Sequence, residues 1–126
     1  MLQKFFTFLL FASLQAMAAT PAELLAGYTA QAGQPASASK GEAFFKASHG
    51  QEWQCINCHG KLPTSGGRHA ITDKAIDPLA PAANAKRFTD NAKVEKWFRR
   101  NCKDVLAREC TVAEKADVLA WLMTLR

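Results

Sequence analysis

Residues 55–60 read CINCHG, and no other stretch limits this chain so tightly. Cys55, Cys58 and His59 form a C-x-x-C-H motif, the attachment signature of c-type haem. The spacing has a chemical reason. Two intervening residues let the backbone turn so that each thiol reaches one vinyl group of the macrocycle. The adjacent imidazole then falls beneath the iron as proximal ligand. A zinc site would need four ligands, yet the other two cysteines, Cys102 and Cys110, stand eight apart and no H-x-x-x-H pair exists. A thioredoxin-like dithiol would sit in a βαβ unit, and the chain has no strand-like alternation of any length. The expected cofactor is therefore one covalent haem c. It also supplies apolar surface that a domain this small would otherwise lack.

The amino-terminal stretch MLQKFFTFLLFASLQAMAAT has one charge, Lys4, then an apolar run and Ala16-Met17-Ala18. This is the pattern of a secretory signal peptide cleaved after Ala18. The expected organisation is thus a leader over 1–18 and one domain over 19–126, exported to the periplasm. The apolar run is short of the ~20 residues that span a bilayer, so an integral membrane protein is not expected. The chain carries 16 Lys and Arg against 11 Asp and Glu. Eight of the basic residues lie between Lys86 and Arg108 against three acidic ones. In an exported protein such a stripe argues against nucleic acid. It suits an acidic protein partner, anionic groups close by, or simply a solvated helix face.

The mature part reads as all-α. A first helix is expected from Pro21 to about Gln31, capped by Thr20 and stopped by Gly33-Gln34-Pro35. Ser39-Lys40-Gly41-Glu42 has the form of a capping box opening a second helix to about Ala47. Residues 60–88 read as an irregular loop. A third helix is expected over about Asp90–Arg100, and Thr111-Val112-Ala113-Glu114 opens a last one to about Leu125. Gly41 and Phe45 share a face, so a second backbone could approach there, with Trp121 filling the space beside it.

The other side of the iron is harder to read. Electron-carrying cytochromes c usually pair His with Met. Here Met1 and Met17 lie in the leader, and Met123 is four positions from the end on a helix expected to pack away from the iron. His49 and His69 are the remaining imidazoles, and a surface role suits His69 better than ligation. Val94, Trp97, Phe98 and Asn101 recur at i, i+3, i+4 and i+7, one apolar stripe ending in a polar amide. Periodicity alone favours reading Asn101 as a helix terminator. Cys102 can pair with Cys110 in an oxidising compartment, or both can stay free.

The stretches LLAGYTAQAGQPA, CINCHG, IDPLAP, RFTDNAKVEKWFRRNC and EKADVLAWL resemble the sphaeroides haem protein family, unusual class I c-type cytochromes of bacteria. They span most of the mature chain. The resemblance implies a cytochrome c fold with a single high-spin haem, ligated by His59 and by the asparagine preceding the cysteine of RNC, here Asn101. It also implies a Cys102–Cys110 disulfide. The implied asparagine dissociates on reduction, after which ferrous iron binds oxygen, nitric oxide and similar diatomics. A dihaem c-type cytochrome is the implied electron donor. Trp97 and Phe98 are expected to wall the pocket, and Arg87 or Arg68 is a guess, from charge alone, for a haem propionate. A redox-switched gas-binding haem protein is thus the leading expectation. A plain electron shuttle is the second, and a small haem enzyme, such as an oxygen or nitrogen-oxide reductase or weak peroxidase, the third. No acid–base pair stands out as catalytic.

Overall fold

Thr20 begins the fold. Its hydroxyl accepts from the Glu23 amide at 3.1 Å while the Glu23 carboxylate accepts from the Thr20 amide at 2.8 Å. This reciprocal box, with Pro21 in the first position, starts helix α1, Pro21–Ala32. Gly33, at φ 67°, ends it in the left-handed conformation that glycine adopts without strain. The computed structural model describes residues 18–126. Residues 1–17 of the expected signal peptide lie outside the described residues.

Helix α2 spans Ala38–Lys46, α3 Cys55–His59, α4 Asn91–Leu106 and α5 Val112–Leu122. Two short strands, β1 Gly67–Arg68 and β2 Ala75–Ile76, pair antiparallel with Gly67 opposite Ile76. The architecture is all-α apart from this hairpin. No helix among the described residues is long and apolar enough to cross a membrane.

Three boundaries differ from expectation, the simplest being that α5 ends at Leu122 rather than about Leu125. Helix α2 starts earlier, with Ser37 rather than Ser39 as its cap. Ser37 accepts from the Lys40 amide, and its own amide donates to Asp117 of α5 at 2.7 Å. A contact 80 residues away therefore selects between two serines that are locally equivalent. Helix α4 runs six residues beyond Arg100. Cys102 and Val105 are buried and carry its inward stripe onward, and the helix ends at Ala107 with φ 57°. Asn101 is therefore inside the helix and terminates nothing.

The core lies where α5 meets α1 and α2. Leu24 and Tyr28 of α1, Phe45 of α2, and Leu119, Trp121 and Leu122 of α5 form one buried cluster. At the α2–α5 crossing, a methyl on Gly41 would overlap the Asp117 backbone carbonyl. Phe45 and Trp121 stack beside this contact with ring centres 5.0 Å apart. Cys102 and Cys110 are joined by a disulfide with Cα atoms 5.6 Å apart, tying the last turn of α4 to the entry of α5. Closing so short a ring contributes roughly 2–3 kcal/mol in the chain-entropy model.

A polar tie joins α1, α4 and α5. The Tyr28 hydroxyl donates to Glu95 Oε1, and Lys115 Nζ donates to Glu95 Oε2 at 2.8 Å. Tyr28 meets Phe98 edge-on with centroids 6.3 Å apart. Burial, then the hydrogen bond and charge of Glu95, push the Tyr28 pKa above its ordinary value of 10.0. The folded state thus keeps a proton that the unfolded chain gives up near pH 10, so this stabilisation is whole below pH 10 and is lost as pH rises further. Above pH 10 the unfolding free energy should fall more steeply in the wild type than in Tyr28→Phe, by at most about 1 kcal/mol per pH unit. Equal slopes in denaturant titrations at pH 10 and 11 would refute this.

Candidate functional site

Helix α3 is one turn long and consists of the motif itself. Gln54 precedes it, with its amide donating to Asn57 Oδ1 at 2.7 Å, and Gly60 closes it at φ 74°. Cys55, Cys58 and His59 are all partly buried, and Cys55 and Ile56 pack against the core cluster. Behind them lies the hairpin. A side chain on Gly67 would overlap the Cys58 carbonyl, and the Ala70 amide donates to Cys58 Sγ at 3.4 Å. The second thiol is therefore held from behind by backbone.

His59 faces Phe45 with ring centroids 6.0 Å apart. Burial first, then the positive charge of Arg87, lower its pKa from 6.5 to about 4. The imidazole is neutral at ordinary pH and keeps a lone pair for a metal. Arg87 is itself fixed, donating through Nε to the Pro78 carbonyl at 2.9 Å and through a terminal nitrogen to the Asp77 carbonyl at 2.7 Å. The Pro63 carbonyl accepts from the amides of Leu79 and Ala80 at 3.1 and 3.0 Å. The segment 77–80 is thus braced from two sides. Arg68 instead ties the hairpin turn, donating to the Asp73 carbonyl at 3.1 Å.

The donor set fits haem c better than zinc. Of the four cysteines, Cys102 and Cys110 are bridged, while the two in the motif are free thiols. Burial first, and then the nearby Cys58, push the Cys55 pKa up to about 11 despite a backbone hydrogen bond that lowers it. A structural zinc would need four ligands, and the motif supplies three. Among the described residues no group of three or more His, Cys, Asp or Glu is placed to hold a metal ion.

Each remaining imidazole is engaged locally. His49 donates from Nε2 to the Phe44 carbonyl at 2.8 Å and stacks on the Phe44 ring, centroids 4.5 Å apart. His69 accepts at Nδ1 from the amides of Ile71 and Thr72, both at 3.2 Å, which leaves its proton on Nε2. Met123 lines a cleft with Thr20, Pro21, Ala22, Pro81, Ala82 and Arg126.

The stripe read on α4 splits in two. Val94 and Phe98 pack against the core, but Trp97 is 43% exposed and Asn101 is exposed. A helix turns about 100° per residue, so Trp97 and Asn101 fall together on one flank of the line through Val94, Phe98 and Val105. Asn101 is not buried on the core face, as the periodicity suggested. Its side chain makes no hydrogen bond among the described residues, and the disulfide begins at the next position. Sequence reasoning missed the roles of Gly67, Arg87 and Pro63 in bracing the motif, because nothing local shows which segment lies behind α3.

Three comparisons bear on this arrangement. A family model described as a domain of unknown function, DUF1924, matches residues 31–122. The cytochrome c-type protein SHP of Cereibacter sphaeroides is 50% identical over 107 residues, covering 82% of each chain. Cytochrome c'' of Methylophilus methylotrophus is 45% identical over 80 residues, covering 64% of this chain and 56% of that protein. The solved structure of oxidised SHP, an oxygen-binding cytochrome c, superposes with a TM-score of 0.80 at 49% identity, covering 85% of this chain and 98% of that one. Oxidised cytochrome c'' superposes at 0.74 with 37% identity, covering 84% and 94%. With its C-x-x-C-H turn, its helical frame and these relatives, the chain belongs to the sphaeroides haem protein family of c-type cytochromes, and its cofactor is haem c.

Proposed function

We propose that this chain is a periplasmic monohaem cytochrome whose distal side is closed by Asn101 in the ferric state and opened on reduction, so that the ferrous form takes up diatomic gases. One observation carries the reading: Asn101 lies inside α4, exposed, beside Trp97 and next to the disulfide, while His49 and His69 are engaged by local backbone. Cys55 and Cys58 would hold the haem as thioethers, His59 would be its proximal ligand, and Trp97 and Phe98 would wall the pocket. The haem supplies a redox-active iron.

The rest is the chemistry of this chain's residues. A carboxamide oxygen is a hard, weak donor that suits Fe(III) and binds Fe(II) poorly. Asn101 therefore plugs the distal side in one valence and withdraws in the other. Once withdrawn, its NH₂ remains a hydrogen-bond donor for an incoming gas. The bridge at Cys102 restrains the α4 backbone next to it. SHP is an oxygen-binding cytochrome c, which supports this reading for its relative. Electrons would come from another c-type cytochrome, a dihaem one on the family resemblance. The leader pattern supports export.

Absorption spectra of the reduced protein with and without carbon monoxide test the proposal. The reduced spectrum should be high-spin and should convert fully on adding the gas. A low-spin reduced spectrum unmoved by carbon monoxide would instead establish a plain electron shuttle.

A further inference from the structure

The charges of α4 are sorted by face. Its inward-leaning acid, Glu95, is consumed by Tyr28 and Lys115, and Arg99 is paired with Glu109 at 3.3 Å. Arg108, just past the helix, is paired with Glu114 at 2.8 Å. Lys93, Lys96, Arg100 and Lys103 remain. All four are exposed and none forms an ion pair among the described residues. Residues 1–17 contain no Asp or Glu that could neutralise them.

At about 100° per residue these four cations occupy one outward face, with Trp97 on its margin toward Asn101. Lys96 Nζ and the Arg100 guanidinium both lie over the Trp97 ring, 5.8 and 5.4 Å from its centre. A merely solvated helix face interleaves signs in i, i+4 pairs. Here the only acid on that side is Asp104, and no ion pair to it is formed. Four unneutralised cations within three turns repel one another, an arrangement that an anionic surface would relieve.

We infer that this face of α4, from Lys93 to Lys103, is the docking surface for a carboxylate-rich patch on the protein that delivers the electron. The inference rests on the reading that the chain is reduced by another protein, and it adds where that protein sits and what chemistry recognises it. Trp97 then lies between the docked surface and the distal pocket, four residues from Asn101. The electron enters on the side where ligand exchange occurs.

The test uses the haem-loaded protein and two flash-generated reductants: the semiquinone of flavodoxin, an acidic protein, and that of lumiflavin, which is uncharged. The double variant Lys96→Glu/Arg100→Glu should slow reduction by flavodoxin about tenfold at low ionic strength, with the difference vanishing in high salt. Reduction by lumiflavin should change less than twofold. Oxidised flavodoxin should shift the amide resonances of residues 93–103 and the Trp97 indole. A control, Lys61→Glu/Lys74→Glu, reverses two exposed cations outside α4 and should leave the flavodoxin rate within twofold. If the control slows flavodoxin while the α4 variant does not, the donor docks elsewhere and the inference falls. If both reductants slow equally in the α4 variant, the pocket was disturbed rather than the docking surface, and the inference also falls. Carbon monoxide uptake by the reduced variant reports separately on the gas-binding reading and on whether Trp97, which both substituted side chains touch, has kept its place.

Discussion

Replacing Asn101 with Ala is expected to raise the affinity of the ferric protein for an added ligand such as imidazole or azide by about 100-fold. Apparent affinity is the intrinsic value scaled by the open fraction, so a plug that closes all but about 1% of the ferric molecules weakens an incoming ligand by that factor. The ferric spectrum should become that of an iron carrying water or hydroxide. Affinity for carbon monoxide in the ferrous state should change little, since on the proposed reading the amide would already be withdrawn there. The variant separates ligation from folding. Asn101 is exposed, lies inside α4, and its side chain makes no hydrogen bond among the described residues. Ala is the better helix former there by roughly 0.5 kcal/mol. The thermal midpoint should therefore hold or rise while the spectrum changes. An unaltered ferric spectrum would remove Asn101 from the distal site.

A second substitution should have the largest effect on stability, with a sign opposite to helix propensity. Gly41→Ala exchanges a poor helix former for the best, a gain of ~1 kcal/mol in an isolated helix. In the fold, the new methyl would overlap the Asp117 carbonyl and crowd the Val118 amide, both parts of α5 backbone. Backbone cannot swing aside as a side-chain tip can, so α2 and α5 must separate, and Phe45 and Trp121 lose their fit. We expect destabilisation by about 3 kcal/mol or more, at the upper end for overpacked cores. For a domain of this size that lowers the thermal midpoint by roughly 10–20 °C. Gly27→Ala is the matched control: it lies in the interior of α1 with nothing within 4 Å of the added carbon. It should stabilise by about 0.5–1 kcal/mol. Calorimetry on both variants checks the pair, and a neutral Gly41→Ala would mean that the α2–α5 crossing is looser than described.

How much of the molecule was legible follows from where the information resides. The cap at Thr20 and the capping box at Thr111 were readable because cap and partner lie three residues apart. The start of α2 was misplaced because Asp117 chooses Ser37 over Ser39 from across the fold. The end of α4 was set too early because the chain past Arg100 is polar locally, whereas burial of Cys102 and Val105 extends it. That extension also changes the reading of Asn101. A terminating asparagine has a local backbone role, while one in mid-helix has its side chain to spare.

By itself the sequence determined the covalent chemistry: two thiols and an imidazole on one turn, four cysteines, and no methionine between Met17 and Met123. These are matters of residue identity and short spacing, which survive without a fold. Only the tertiary structure decided which groups are left over. It ties His49 and His69 to local backbone, neutralises some of the charges of α4 and not others, and leaves Trp97 and Asn101 exposed rather than on the core face. Availability depends on neighbours distant along the chain, and packing brings those neighbours into contact.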